Sequence, residues 1–102
     1  MVQYKVIVSP EAQRLMGNCV LFLAEKSMDA AIALKDRLVG EIRKLDHMPE
    51  RYPFFNEPYI PANKYHKMFV EKYYLILYQI KDDTVYVDYV VDCRQDYKWL
   101  LH

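Results

Sequence analysis

The chain reads as one α+β domain in two layers. A helix hairpin lies on an antiparallel four-stranded sheet, and the elements run in the order β-α-α-β-β-β-α. Three observations predict this. From residue 10 to residue 47 the apolar residues recur at three/four spacing, as on amphipathic helices. From residue 65 onward the composition turns dense in β-branched and aromatic residues, broken by short connections, as in strands and hairpins. The length of 102 residues suits a single domain, 1–102, with a modest core, and no repeat or low-complexity stretch divides it.

The first strand is "YKVIV" (4–8). Ser9 then offers a hydroxyl N-cap, Pro10 suits the first helical position, and Glu11 suits the positive end of the helix dipole. Ala12, Leu15, Met16, Cys19, Phe22 and Leu23 mark one face of a helix over 10–26. Gly17 weakens that helix by about 1 kcal/mol relative to Ala. After a turn at Lys26–Met28, Ala31, Leu34, Leu38, Ile42 and Leu45 form the stripe of a second helix. It ends near His47 because Pro49 blocks continuation.

Residues 49–63, "PERYPFFNEPYIPAN", carry four prolines and form no regular element. A loop this long in a small domain needs a reason, and its aromatic residues suggest that it packs back on the body. The remaining strands are "YHKMFV" (65–70), "YYLILYQI" (73–80) and "TVYVDYVV" (84–91), joined by hairpin-length connections at Glu71-Lys72 and Lys81–Asp83. Strict alternation over the last strand puts Val85, Val87, Tyr89 and Val91 on one face and Tyr86, Asp88, Val90 and Asp92 on the other. A helix hairpin returns the chain to the sheet end it left, so the first strand is expected to join antiparallel. Asp96 offers a cap for a short final helix carrying Trp99, Leu100 and Leu101.

The totals exclude several function classes. Fourteen basic residues balance fourteen acidic ones, and the balance holds in each half. Nucleic-acid binders usually show a basic excess, because phosphate contacts supply most of their affinity. No apolar run approaches the roughly 20 residues of a membrane span. The N-terminus lacks the layout of a signal peptide, so a soluble cytoplasmic protein is expected. Cys19 and Cys93 are expected to be free buried thiols. Three histidines and two cysteines without close spacing point to no metal, and nothing calls for a cofactor.

Four segments, taken in order, resemble the RelE/ParE superfamily of bacterial type II toxin–antitoxin toxins, the plasmid stabilisation protein family. They are "LDHMPERYPF", the strand pair "YHKMFVEKYYLILYQI", the strand "TVYVDYVV" and the ending "DCRQDYKWLL". The residues that carry the likeness are Leu45, Pro49, Arg51, Tyr52 and Pro53; His66 and Lys67; Tyr74, Leu75 and Tyr78; and Arg94, Asp96, Tyr97, Leu100 and Leu101. Together they cover nearly the whole chain. The resemblance implies a RelE/ParE-like fold and two alternative activities. RelE-like members cut mRNA in the ribosomal A site without metal, and ParE-like members poison DNA gyrase. It also implies a cognate antitoxin.

Metal-free RNA cleavage needs a base for the 2′-OH, cations on the phosphate and an acid for the leaving oxygen. The resemblance gives these roles to His66 (base or phosphate ligand), Lys67 (phosphate ligand), Arg94 (transition-state stabiliser) and Tyr97 (acid). The chain departs from the nuclease pattern in carrying Met68 at a lysine position and Leu75 at an arginine position. Asp88 and Asp92, if they share the concave face, repel phosphate. The expected function is therefore a growth-inhibiting toxin, by ribosome-dependent mRNA cleavage as a possible metal-independent endoribonuclease (an mRNA interferase). The alternatives are a gyrase poison without catalytic residues, or a decayed homologue kept as a binding module.

The partner expected is a small acidic or amphipathic antitoxin. It would dock over the helix hairpin and the 64–72 strand edge, covering His66 and Lys67. Phe54, Phe55 and Tyr59, held extended among prolines, would contribute apolar surface. Without the antitoxin a homodimer is expected. The alternative is that the loop packs shut over the core of a monomer.

Overall fold

The computed structural model describes residues 3–94. The elements are β1 (Lys5–Val8), α1 (Pro10–Ala24), α2 (Met28–Arg43), β2 (His66–Val70), β3 (Tyr74–Lys81) and β4 (Thr84–Asp92), with 3₁₀ turns at Lys44–Asp46 and Pro49–Arg51. The expected final helix, capped by Asp96, lies outside the described residues.

Both helices start where their caps dictate. The Ser9 hydroxyl accepts the Ala12 N–H at 3.0 Å and the Ser27 hydroxyl accepts the Ala30 N–H at 3.1 Å, each satisfying one orphan donor of a first turn. α2 does not run on to His47. It tightens after Arg43 into the 3₁₀ turn that places Leu45 in the core. Ala31, Leu34, Leu38 and Ile42 form the buried stripe of α2, as their spacing requires.

The sheet order is β1-β4-β3-β2. β2, β3 and β4 pair antiparallel, but β1 pairs parallel to β4, with Lys5 opposite Thr84 and Val8 opposite Val87. This corrects the wholly antiparallel expectation, and the cause is the path of the hairpin. α1 continues in the direction of β1, along the far half of β4, and brings Cys19 near Asp92. α2 then runs back to the end where β1 began, so that the Tyr4 N–H donates to the Asp46 carbonyl at 2.8 Å. The hairpin therefore returns the chain to the start of β1. β2 leaves from that end and runs the same way as β1, and two antiparallel steps later so does β4.

Strict alternation along β4 fails at one residue. Tyr78 pairs with Val87 but Leu77 pairs with Tyr89, so Asp88 is a β-bulge. Before the bulge Val85 and Val87 face the helices; after it Val90 does, while Val91 packs on the other side. The bulge sits where β1 ends, and its Asp88 carbonyl accepts the Ser9 hydroxyl at 3.3 Å.

The core has two layers. Between sheet and hairpin, Leu34, Leu38, Ile42 and Leu45 pack on Met68, Val70, Ile76, Tyr78, Val85 and Val87. On the opposite face, Phe55 and Tyr65 pack on Leu75, Leu77 and Val91. The second layer exists because the proline-rich loop folds back. The Phe55 N–H donates to the Tyr65 carbonyl at 2.7 Å, and the Lys67 N–H donates to the Pro53 carbonyl at 2.9 Å. The loop thus shields the start of β2 like a short extra strand, buries Phe55, and leaves Phe54 and Tyr59 exposed. Among the described residues no helix is long and apolar enough to cross a membrane.

Candidate functional site

Adjacent residues of a strand point to opposite faces, so His66 and Lys67 diverge. His66 pairs with Tyr78 and lies on the helix side, only 6% exposed. Its ring stacks between Phe54, with centroids 4.3 Å apart, and Tyr78, 5.3 Å away and nearly parallel. Nδ1 lies 2.6 Å from the Tyr52 carbonyl oxygen. A carbonyl can only accept, so Nδ1 carries the proton in this contact and Nε2 is left as the basic nitrogen. Lys67 pairs with Leu77 and faces the loop side.

Arg94 is held at the exit of β4. Its Nε and Nη2 donate to the two Asp92 carboxylate oxygens at 3.0 and 2.9 Å. Nη2 also donates to the Tyr74 hydroxyl at 2.9 Å, and the guanidinium stacks 4.8 Å over the Tyr73 ring. The Arg94 N–H adds a third contact to Asp92 at 3.0 Å. Burial pushes the Asp92 carboxyl up, but the hydrogen bonds and charge of Arg94 outweigh it and hold the group below the ordinary carboxylate range. Arg94 is in turn raised by its hydrogen bonds to Asp92. Burial and the nearby Asp92 charge push the Cys19 thiol up to about 11.

These candidates do not converge. His66 sits beside Tyr78 and Arg94 beside Tyr74, four residues away along β3, which is about 13 Å at the usual strand rise. Lys67 is on the other face, and Tyr97 lies outside the described residues. The two aspartates do not share a face either. Asp88 lies on the loop side, the side of Tyr86, where it accepts from Gln79 Nε2 at 2.6 Å and its charge acts on the nearby Tyr65 phenol. The bulge shifts the alternation beyond it, so that Asp92 lies with Tyr74 and Cys19 on the helix side.

The loop side holds a feature that sequence reading missed. A half-open cavity of about 160 Å³ lies between the loop and the sheet, lined by Tyr59, Ile60, Pro61, Lys64, Tyr65, Leu77 and Tyr89. The Tyr65 and Tyr89 rings meet edge to face at 5.9 Å. Burial, with Asp88 and Tyr89 beside it, raises the Tyr65 phenol well above its ordinary value. The only sequence signal was the clustering of aromatics and prolines, which does not say which rings meet. Among the described residues no group of three His, Cys, Asp or Glu side chains is placed to hold a metal.

A helix hairpin on one face of a four-stranded sheet, with a folded-back loop on the other, makes a layered α+β fold. Among solved structures the chain is similar to one titled "Chromosomal ParDE TA system from P. aeruginosa", with a TM-score of 0.71. The match covers 88% of this chain and 96% of that chain at 8% sequence identity, so the likeness is one of fold. No family model matches the chain, and no curated protein does.

Proposed function

We propose that the chain is the toxin of a type II toxin–antitoxin module and that it acts by binding its target, DNA gyrase, in the cytoplasm. The observation that carries this reading is the dispersal of the candidate catalytic residues over a ParE-like fold. His66 is wedged between two rings, Lys67 faces away from it, and Arg94 is committed to Asp92. A binding toxin needs none of them to converge. A cognate antitoxin is the expected partner. Leu21, Met28 and Ile32, exposed at 67%, 63% and 53%, give the hairpin an apolar surface for it, or for a second copy in its absence.

Ribosome-dependent mRNA cleavage is the second reading. The basic Nε2 that the Tyr52 contact leaves on His66 favours it, with Lys67 and Arg94 on the phosphate and Tyr97 as acid. Induction of the lone protein in cells separates the readings. DNA breaks with an SOS response are expected. Ribosome-positioned mRNA cuts that disappear in Arg94→Ala would overturn the binding mechanism. Unimpaired growth would remove the toxin reading and leave a decayed homologue serving as a binding module.

A further inference from the structure

We infer that the cavity between the proline-rich loop and the sheet is an anchor site for a phenyl side chain, Phe or Tyr, of a partner polypeptide that carries a carboxylate next to that ring. The size of the cavity fits. At about 160 Å³ it matches the roughly 150 Å³ of an apolar cavity that accepts one benzene ring. The walls fit as well. Three tyrosines, Tyr59, Tyr65 and Tyr89, line it together with Ile60, Pro61 and the buried Leu77. Aromatic rings gain most from such offset and edge contacts.

The rim sets the charge of the occupant. Lys64 lines the cavity and lies over the Tyr65 ring at 5.3 Å. Among the described residues it has no carboxylate partner. A side-chain carboxylate beside the ring meets it. The Asp88 carboxylate, which accepts from Gln79 Nε2, acts on Tyr65 from close by and disfavours a more highly charged phosphate at the same place. A neutral ring with a single carboxylate at the rim answers both signs. A nucleotide does not, so an acidic-aromatic peptide is the occupant.

Most of the cavity is built by the loop. The bulge at Asp88 brings Tyr89 to the loop side as well, against Tyr65. Identifying the partner as the antitoxin rests on the proposed function; the site itself does not.

The test is a titration of the ¹⁵N-labelled full chain, followed by amide shifts, with N-acetyl-Phe-Glu-amide, N-acetyl-Phe-Gln-amide and uridine 5′-monophosphate. The Phe-Glu peptide is expected to shift Ile60, Lys64, Tyr65 and Tyr89 and to bind about fivefold more tightly than Phe-Gln, as one charge-assisted contact allows. Lys64→Glu, at an exposed position, should erase that preference and leave Phe-Gln binding within about twofold. Tyr59→Ala, also exposed, should weaken both peptides by about threefold or more. Equal affinity for the two peptides, shifts confined to other regions, no shifts, or tighter binding of the nucleotide would each overturn the proposal. None of these outcomes bears on growth arrest or DNA breakage in cells, so this site and the toxin reading fail separately.

Discussion

Removing one oxygen atom, by Tyr78→Phe, tests how the loop is fastened to the sheet. Tyr78 is fully buried, and its hydroxyl donates to the Pro49 carbonyl at 2.6 Å. Its ring keeps its volume in the variant, so the stacking on His66 and the packing on the hairpin are retained. What changes is one hydrogen bond, with a net contribution of about 0.5–1.5 kcal/mol, and one buried carbonyl left without a donor at about 1–3 kcal/mol. The combined loss expected is about 2 kcal/mol. For a domain with ~5–15 kcal/mol in all this is a large share, equivalent to a fall in Tm of about 8–16 °C. Urea unfolding should show a lower midpoint with an unchanged slope. Hydrogen exchange should rise first at the Phe55 and Lys67 amides, which tie the loop to β2. Tyr86→Phe, at a half-buried ring, is the control and should change stability by less than about 0.5 kcal/mol. A Tyr78→Phe loss below about 0.5 kcal/mol, or no change in exchange at those two amides, would refute the view that this contact holds the loop.

Gly17→Ala and Gly40→Ala should each stabilise the chain by about 0.5–1 kcal/mol in thermal unfolding, because each lies inside a helix and an added Cβ meets nothing within 4 Å. Asp92 has its folded value depressed, so its contribution is present above the unfolded carboxylate value of about 3.9 and is lost as pH falls through the lower folded value. Asp92→Asn should therefore be less stable than the parent at pH 7, and the difference should close below about pH 4 in a series of urea melts. With its thiol pushed up to about 11, Cys19 should react with a thiolate-specific reagent at pH 8 about a hundredfold more slowly in the folded chain than in urea.

The helices and strands were legible because their signals are local. Ser9 and Ser27 cap, the 31-34-38-42 stripe packs, and the residue types after 64 favour extended chain. The direction of β1 was not legible, because it depends on where a two-helix path ends. No local pattern in 10–47 encodes that; it shows only in a long-range contact, the Tyr4 N–H to the Asp46 carbonyl, across 42 positions of sequence. The bulge escaped because Val87, Asp88 and Tyr89 fit unbroken alternation equally well. The β2–β3 turn also lacks its usual residues: Glu71 and Lys72 take left-handed backbone (φ 54° and 68°) where Gly or Asn is common. For the candidate site, sequence order placed His66 beside Lys67 and near Arg94 in a family pattern. The pleat of the strand and the length of β3 then separate them. The aspartate that Arg94 binds was within reach of sequence reading, since Asp92 and Asp96 are its two acidic neighbours.

The parallel seam between β1 and β4 sets when this molecule can come into being. β4 is an interior strand, with β1 on one flank and β3 on the other, yet among the described residues it is the last strand made. The Ser9 hydroxyl waits for a carbonyl 79 positions later. At roughly 5–20 residues per second of synthesis, that is a wait of roughly 4–16 seconds. During it the N-terminal strand has no partner and the helix hairpin has little sheet to cover. A chain interrupted anywhere before residue 84 lacks the strand that joins its two halves and has no native sheet. Folding is thus deferred until β4 has been made, and the slow step is the long-range closure itself.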